Sequence, residues 1–294
     1  MTSLRVTQRS IATQTLAGLQ NNIGRLGEIQ QRLSSGKQIS KPSDSPTGTV
    51  SAMQLRSEIR ANEQWSRNAD DGIGWLGTMD QTLSSSLTSV QKVRALTLQG
   101  LNSGATSQQA LDALAVEVGQ INQTLVSLSN TTYLGRPVFG GTTGGDKAFD
   151  PNGAYVGDTG QVQRRVADGM QVRVDVPASV FGTGTDQIFG VLDSVVNGLK
   201  GDPSTLSGDL DRLDSTLRTV GTELASVGSR YSQLTSASDA AATQTLTLTS
   251  RLSDIEDVDL AKAVIDLQTQ NVGYEAALAA TAKVVQPSLV DFLR

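Results

Sequence analysis

The 294 residues include no cysteine and no histidine, which removes disulfides, thiolate nucleophiles, imidazole metal ligation and every Ser-His or Cys-His catalytic arrangement. A net charge of -5 without any Lys/Arg block leaves no electrostatic footprint for nucleic acid. Aromatics at 4% and abundant small and hydroxylated residues favour helix-to-helix packing in a bundle or rod over one thick core, and without a run of about 18 apolar residues no membrane insertion is expected.

In chain order, Met1 to Gln20 carries Arg5 and Arg9 but neither a continuous apolar stretch nor a small-residue cleavage site, so a cleaved signal peptide is not expected. Leu16, Leu19, Ile23, Leu26 and Leu33 then recur at spacings of three and four, the seam of a helix that pairs with another helix. Ser34-Ser35-Gly36 supplies its stop, and Lys41-Pro42-Ser43-Asp44-Ser45-Pro46 a rigid turn. From Val50 to Gly100 a long second helix follows, with Ile73, Leu76, Leu83, Leu87 and Val90 in its seam. Asn102-Ser103-Gly104 breaks it, and Leu111, Leu114, Val118, Ile121, Leu125 and Leu128 mark a third.

Between Tyr133 and Asp186 glycines become dense, and Met170, Val172, Val174 and Val176 alternate with Gln171, Arg173 and Asp175 in the two-residue period of a half-buried strand. Val162 to Val166 reads as its partner across a turn at Ala167-Asp168-Gly169, which predicts a compact antiparallel β insert. After Pro203, apolar residues from Leu206 to Leu252 predict a helix about 75 Å long at about 1.5 Å per residue. Its seam turns small and polar between Ser238 and Thr245. Asp254-Ile255-Glu256-Asp257 puts negative charge where a last helix is expected to begin. Leu260, Val264, Leu267, Tyr274, Leu278, Thr281, Val285 and Phe292 then continue the three-and-four spacing.

The fold expected is mainly α with a small β insert: a long antiparallel helical coiled-coil rod formed by both terminal regions, plus a compact all-β domain in the middle. The expected divisions are a terminal helical assembly region (1–40 with 256–294), a helical rod domain (41–132 with 187–255) and a β-rich insert (133–186). The two ends each carry one narrow apolar stripe, so the simplest burial is mutual pairing, with the remainder completed by other copies. The expected assembly interface is Leu16, Leu19, Ile23, Leu26, Leu33, Leu267, Tyr274, Leu278, Val285, Leu289, Phe292 and Leu293. Such ends are expected to be mobile in a monomer and ordered in an assembly, and heterologous contacts of this kind build rings or tubes.

Sites of other chemistry have plainer readings. Gly72-Ile73-Gly74-Trp75-Leu76-Gly77 fits G-x-G-x-x-G but lies inside a helical seam, not after a strand, so close packing is expected and no cofactor. Asp254, Glu256, Asp257 and Asp259 lack the loop glycine and spacing of a calcium loop and read as helix-start charge, without a metal. Asp44, Asp70 and Asp71 have turn and surface roles, because nothing places an acid and a base across one cleft. Asn122-Gln123-Thr124 and Asn130-Thr131-Thr132 match a short, common glycosylation pattern.

Several segments resemble the flagellin superfamily. Arg67-Asn68-Ala69-Asp70-Asp71-Gly72-Ile73 resembles its "RNANDGI", Leu33-Ser34-Ser35-Gly36-Lys37 its "LSSG" turn, and Val93-Arg94-Ala95-Leu96-Thr97-Leu98-Gln99 its "VRELSVQ" helix. Asp254-Ile255-Glu256-Asp257-Val258-Asp259 is similar to "RIEDTDYA", and Leu289-Val290-Asp291-Phe292-Leu293-Arg294 to the "LSLLR" end. Within the superfamily, the turn at 41–46 resembles the "NPSDDP" of the hook-filament junction family, where filament flagellins carry "KDDAAG". Val138-Phe139-Gly140-Gly141-Thr142 resembles that family's "YLFGGT", and Gln163-Arg164-Arg165-Val166-Ala167-Asp168-Gly169 its "RSVADG" hairpin. The resemblance implies a non-enzymatic adaptor of the bacterial flagellum, exported without a cleaved signal peptide to the extracellular organelle. Implied partners are other copies of itself in a ring, another hook-associated protein on the hook side, flagellin on the filament side and an export chaperone. The alternatives are a filament-forming flagellin and a secreted helical enzyme, the latter with no nucleophile-base pair to support it.

Overall fold

This computed structural model describes residues 2–102 and 107–285. Six α-helices dominate it: α1 (Thr2–Ser35), α2 (Pro46–Leu101), α3 (Gln108–Ser129), α4 (Ile188–Lys200), α5 (Leu206–Glu256) and α6 (Leu260–Val285). Four short strands form two antiparallel pairs, β1 (Thr132–Tyr133) with β2 (Arg136–Pro137) and β3 (Gln163–Ala167) with β4 (Met170–Arg173). Among the described residues, no helix is long and apolar enough to cross a membrane.

Two compact units divide the chain, one built from residues 1–60 with 245–294 and the other from 61–244. In the second, the α5 residues Leu206, Leu213, Val220, Val227 and Leu234 are all buried at intervals of seven, the repeat that keeps one edge of a helix against a partner. They join Leu76, Met79, Leu83, Val90 and Val93 of α2 and Leu111, Leu114, Val118 and Leu125 of α3 in one core. The α2 and α5 segments run antiparallel, since Asp70 meets Ser238 at one end and Arg94 meets Asp214 at the other. Gly72 and Gly74 lie close under Leu234 and Tyr133, so a side chain at either would collide, while Gly77 faces open space. Two of the three glycines of the G-x-G-x-x-G segment thus serve packing.

Helix α4 lies in the stretch 187–255 expected as helical rod, ahead of the seam that begins after Pro203, and its Ile188, Val191, Leu192, Val195 and Leu199 lie on one face and are fully buried. It packs along α3, where Asn122 Nδ2 donates to Phe189 O and to Asp193.

The middle of the chain differs from the compact β domain expected. Two-stranded pairs have too little surface to stand alone, and Val166, Val172, Val174 and Val176 share one core with α2, α3, α4 and α5. The alternation at Val172, Val174 and Val176 holds, all three being buried, whereas Met170 is 39% exposed beside the turn. Asp175, expected on the outer face, is buried because both its oxygens are used: Arg173 donates to each, and Val162 N to one. The rest of the segment is the short β1–β2 pair, two 3-10 turns at Ala178–Phe181 and Gly184–Asp186 and loop, with an edge-to-face cluster of Phe139, Phe149, Phe181 and Phe189.

Candidate assembly surface of the terminal helices

In the first unit, α1 and α6 pack together. Their ends meet where Val258 N donates to Gly36 O and Gln38 N to Glu256 O, and farther along Gln270 Nε2 donates to Asn22 Oδ1 at 3.2 Å. Residue numbers fall on one helix as they rise on the other, so the pair is antiparallel. The inward face of α1 is Leu19, Asn22, Leu26, Ile29 and Leu33, all half-buried. That of α6 is Ala263, Leu267, Gln270, Tyr274 and Ala277, where Ala263 is buried and the others are half-buried. Each series alternates steps of three and four, a heptad seam with one amide in each helix.

Five of the predicted interface residues, Leu19, Leu26, Leu33, Leu267 and Tyr274, therefore lie in the seam. Leu16, Ile23 and Leu278 do not: they are 57%, 53% and 43% exposed. Val285 ends α6, with its side chain outside the described residues, as are Leu289, Phe292 and Leu293 entirely. Reading the apolar stripe alone missed Asn22, Ile29, Ala263, Gln270 and Ala277, because the amides interrupt the stripe, the alanines add little to it, and Ile23 stands beside Asn22 as the larger apolar residue. Leu260, Val264, Ile265 and Val272 of α6 are also exposed.

A charged clasp closes the base of the pair. Gly36, with φ +68, turns the chain out of α1, and Lys37 forms an antiparallel bridge with Asp257. The Glu256 side chain, 4% exposed, accepts from Arg56 Nη2 at 2.8 Å and lies 3.6 Å from Lys37 Nζ. Lys37 Nζ also donates to Asp257 at 2.5 Å, and Ser253 Oγ donates to the other oxygen of that carboxylate. The Lys37 bond, with help from Ser253, holds the Asp257 carboxyl below its ordinary value, and the Asp257 bond holds the Lys37 ammonium above its own. The acidic run was expected to start the last helix, but Asp254 and Glu256 lie in the final turn of α5. Only Asp259 caps α6, accepting from Lys262 N at 3.1 Å. The charges at 256 and 257 face cations brought in by α2 and the α1 terminus, which proximity in sequence could not reveal.

The remaining candidates have structural partners. Asp44 closes the turn at 41–46 by accepting from Ser40 N, Ser40 Oγ and Lys41 N. Asp71 accepts from Arg164 Nε at 2.7 Å, Asn68 Nδ2 donates to Arg165 O at 2.8 Å and Asp70 accepts from Ser238 Oγ at 2.9 Å. The Arg67–Ile73 segment thus ties α2 to β3 and α5. Asn130 uses all its hydrogen-bonding positions, donating to Val126 O and Phe149 O and accepting from Ala148 N and Phe149 N. Among the described residues, no group of three or more carboxylates could hold a metal ion. A cleft of about 450 Å³ lies beside Phe139, Phe149, Tyr155 and Val176, and its carboxylates Asp158 and Asp175 are engaged with Thr142, Gly160, Arg173 and Val162.

The family described as the bacterial flagellin N-terminal helical region matches residues 6–143, and the bacterial flagellin C-terminal helical region matches residues 210–293. Together they span about three quarters of the chain. The chain belongs to the flagellin superfamily. As such it is a structural component of the flagellum and not an enzyme, and it associates with other flagellar components. The flagellin of Bacillus subtilis is 26% identical over 96% of this chain and 97% of its own length. Flagellar hook-associated protein 3 of Escherichia coli is 23% identical over 94% of this chain and 96% of its own. Among solved structures, flagellar hook associated protein-3 from Legionella pneumophila shares the fold with a TM-score of 0.61, covering 69% of this chain and 98% of that one at 14% identity.

Proposed function

We propose that this flagellin-superfamily protein is the adaptor at the junction between hook and filament, and that it assembles through its terminal helices. The observation that carries the reading is its likeness to a hook-associated protein 3 across nearly the whole of both chains. The Lys41–Pro46 turn, closed by Asp44, supports it, since that turn resembles the junction family and not the filament flagellins. The residues 1–40 with 256–294 serve as the assembly region, 41–132 with 187–255 as the helical scaffold and 133–186 as its insert. In this reading the seam residues Leu19, Leu26, Leu33, Leu267 and Tyr274 join the two ends of one molecule. Exposed Leu16, Ile23 and Leu278 meet neighbours, as do Val285, Leu289, Phe292 and Leu293. The neighbours are other copies in a ring, a hook-associated protein on one side and flagellin on the other, outside the cell, with a chaperone accompanying export.

A strain lacking this protein should keep intact hooks and leak flagellin into the medium. Filaments of normal length in that strain would overturn the reading. The likeness to the Bacillus subtilis flagellin favours a second reading, a filament subunit. Purified protein decides between them: a junction adaptor caps hooks and accepts flagellin without growing alone, whereas long homopolymers would identify a filament protein.

A further inference from the structure

The β1–β2 pair closes through a two-residue turn, Leu134-Gly135, in which both residues take positive φ, +48 and +78. Glycine accepts that backbone freely, whereas a leucine brings its Cβ against the following carbonyl. Among the described residues, Leu134 alone combines a side chain with positive φ. It is also 80% exposed, more than any other large apolar residue described. The fold of one molecule gains nothing from a leucine here, since asparagine fits the turn better and water covers the side chain. The turn is nevertheless held firmly on α2: Tyr133 meets Trp75 edge-to-face at 5.7 Å, and the Arg136 guanidinium lies 5.7 Å from the centre of the same ring. An apolar knob on such a fixed platform loses little freedom when a partner covers it.

A receiving surface exists elsewhere in the same unit. Trp65 of α2, Met170 beside the β3–β4 turn and Ala237 and Ala240 of α5 line a groove of about 790 Å³, in which Trp65 is half-buried and Met170 39% exposed. Knob and groove lie on opposite sides of α2. Gly74 faces Tyr133, whereas Gly72, about 200° away around the helix at about 100° per residue, faces Leu234 of α5 and Val174. Trp65 stands seven residues before Gly72, on that same α5 side. Leu134 therefore cannot reach the groove of its own molecule, and a contact between two different patches is heterologous, the kind that closes into rings. Charge agrees with this pairing, because Arg136 is exposed beside Leu134 and Asp239 is exposed next to Ala240 on the groove rim. We infer that Leu134 of one copy seats in the α2–α5 groove of the next copy, with Arg136 beside Asp239. The inference deepens the junction reading and rests on it for the ring of copies.

The chain has no cysteine, so introduced thiols report contacts without background, and a disulfide needs Cα atoms within about 7 Å. Flagella are oxidised from cells whose sole copy carries Leu134→Cys with Ala237→Cys, or Leu134→Cys with Ala240→Cys; concentrated purified full-length protein is oxidised in parallel. At least one pair should give a ladder of covalent multimers. Each single variant should stay monomeric, as should Leu134→Cys with Val116→Cys, a control at a 57% exposed position of α3. Leu134→Asn supplies a second measurement, because it suits the turn and removes the knob. Its melting temperature should equal or exceed the parent's, while the copies retained per flagellum fall about 10-fold. Absence of a ladder from both groove pairs, in flagella and in concentrated protein, would overturn the inference. So would a control ladder as strong as theirs, a dimer from Leu134→Cys alone, full retention of Leu134→Asn, or a melting temperature of that variant below the parent's. No ladder, with flagellin still leaking from the deletion strain, would sink the contact and leave the junction reading standing. A ladder, with normal filaments in the deletion strain, would keep the contact and remove the junction.

Discussion

Asp257 and Lys37 show how two ordinary charges acquire opposite pH limits from one contact. The Asp257 carboxyl is held below its ordinary value, so its contribution is fully present above the unfolded value, 3.8, and is lost as pH falls through the lower folded one. For Lys37 the folded value is raised, so its contribution is complete below the unfolded 10.5 and is lost as pH rises through the higher folded value. The clasp is therefore whole between those limits. The protection of the amides at residues 36–39 against hydrogen exchange, relative to their free rates at each pH, should fall on acidification below about pH 4, and Asp257→Asn should remove much of that dependence. Both side chains are about two-fifths exposed, which keeps the global effect small. Phe149 is the contrasting case: it is 1% exposed and touches three aromatic rings. Phe149→Ala should destabilise the unit 61–244 by about 3–5 kcal/mol, measured by denaturant unfolding.

Among the elements, two glycines separate backbone strain from helix propensity. Gly182 ends a short 3-10 turn at φ +84, and a side chain there would strike the backbone at Asp186. Gly190 lies in the exposed first turn of α4 with open space around it. Gly182→Ala should lower the melting temperature, whereas Gly190→Ala should raise stability by about 0.5–1 kcal/mol. Helix α4 was legible in the positions of Ile188, Val191, Leu192, Val195 and Leu199, which lie inside the stretch 187–255 expected as helical rod. The hairpin of β3 and β4 was legible from alternation and from Asp168-Gly169, where Gly169 takes φ +69. That it would share a core with the helices instead of closing its own was not, because the faces that cover a strand come from residues distant in sequence.

For the molecule as a whole, the terminal pair buries a narrow seam while the unit 61–244 joins most of the buried apolar side chains in one core. Limited proteolysis of a verified monomer should accordingly trim about 35 to 50 residues from each end, removing α1 and α6, before any cleavage between 61 and 244. Full protection of both ends in a monomer would contradict this. The sequence by itself determined the long helical segments, that the ends pair, and that no histidine or cysteine chemistry is available, because periodicity and composition are local properties that survive without knowing any neighbour. Tertiary structure alone decided that Asn22 and Gln270 face inward while Ile23 and Val272 face out, and that Glu256 meets Lys37 and Arg56 instead of starting a helix. An apolar stripe states how much surface wants covering, but the residues that meet across the seam, such as Asn22 and Gln270, lie 248 positions apart.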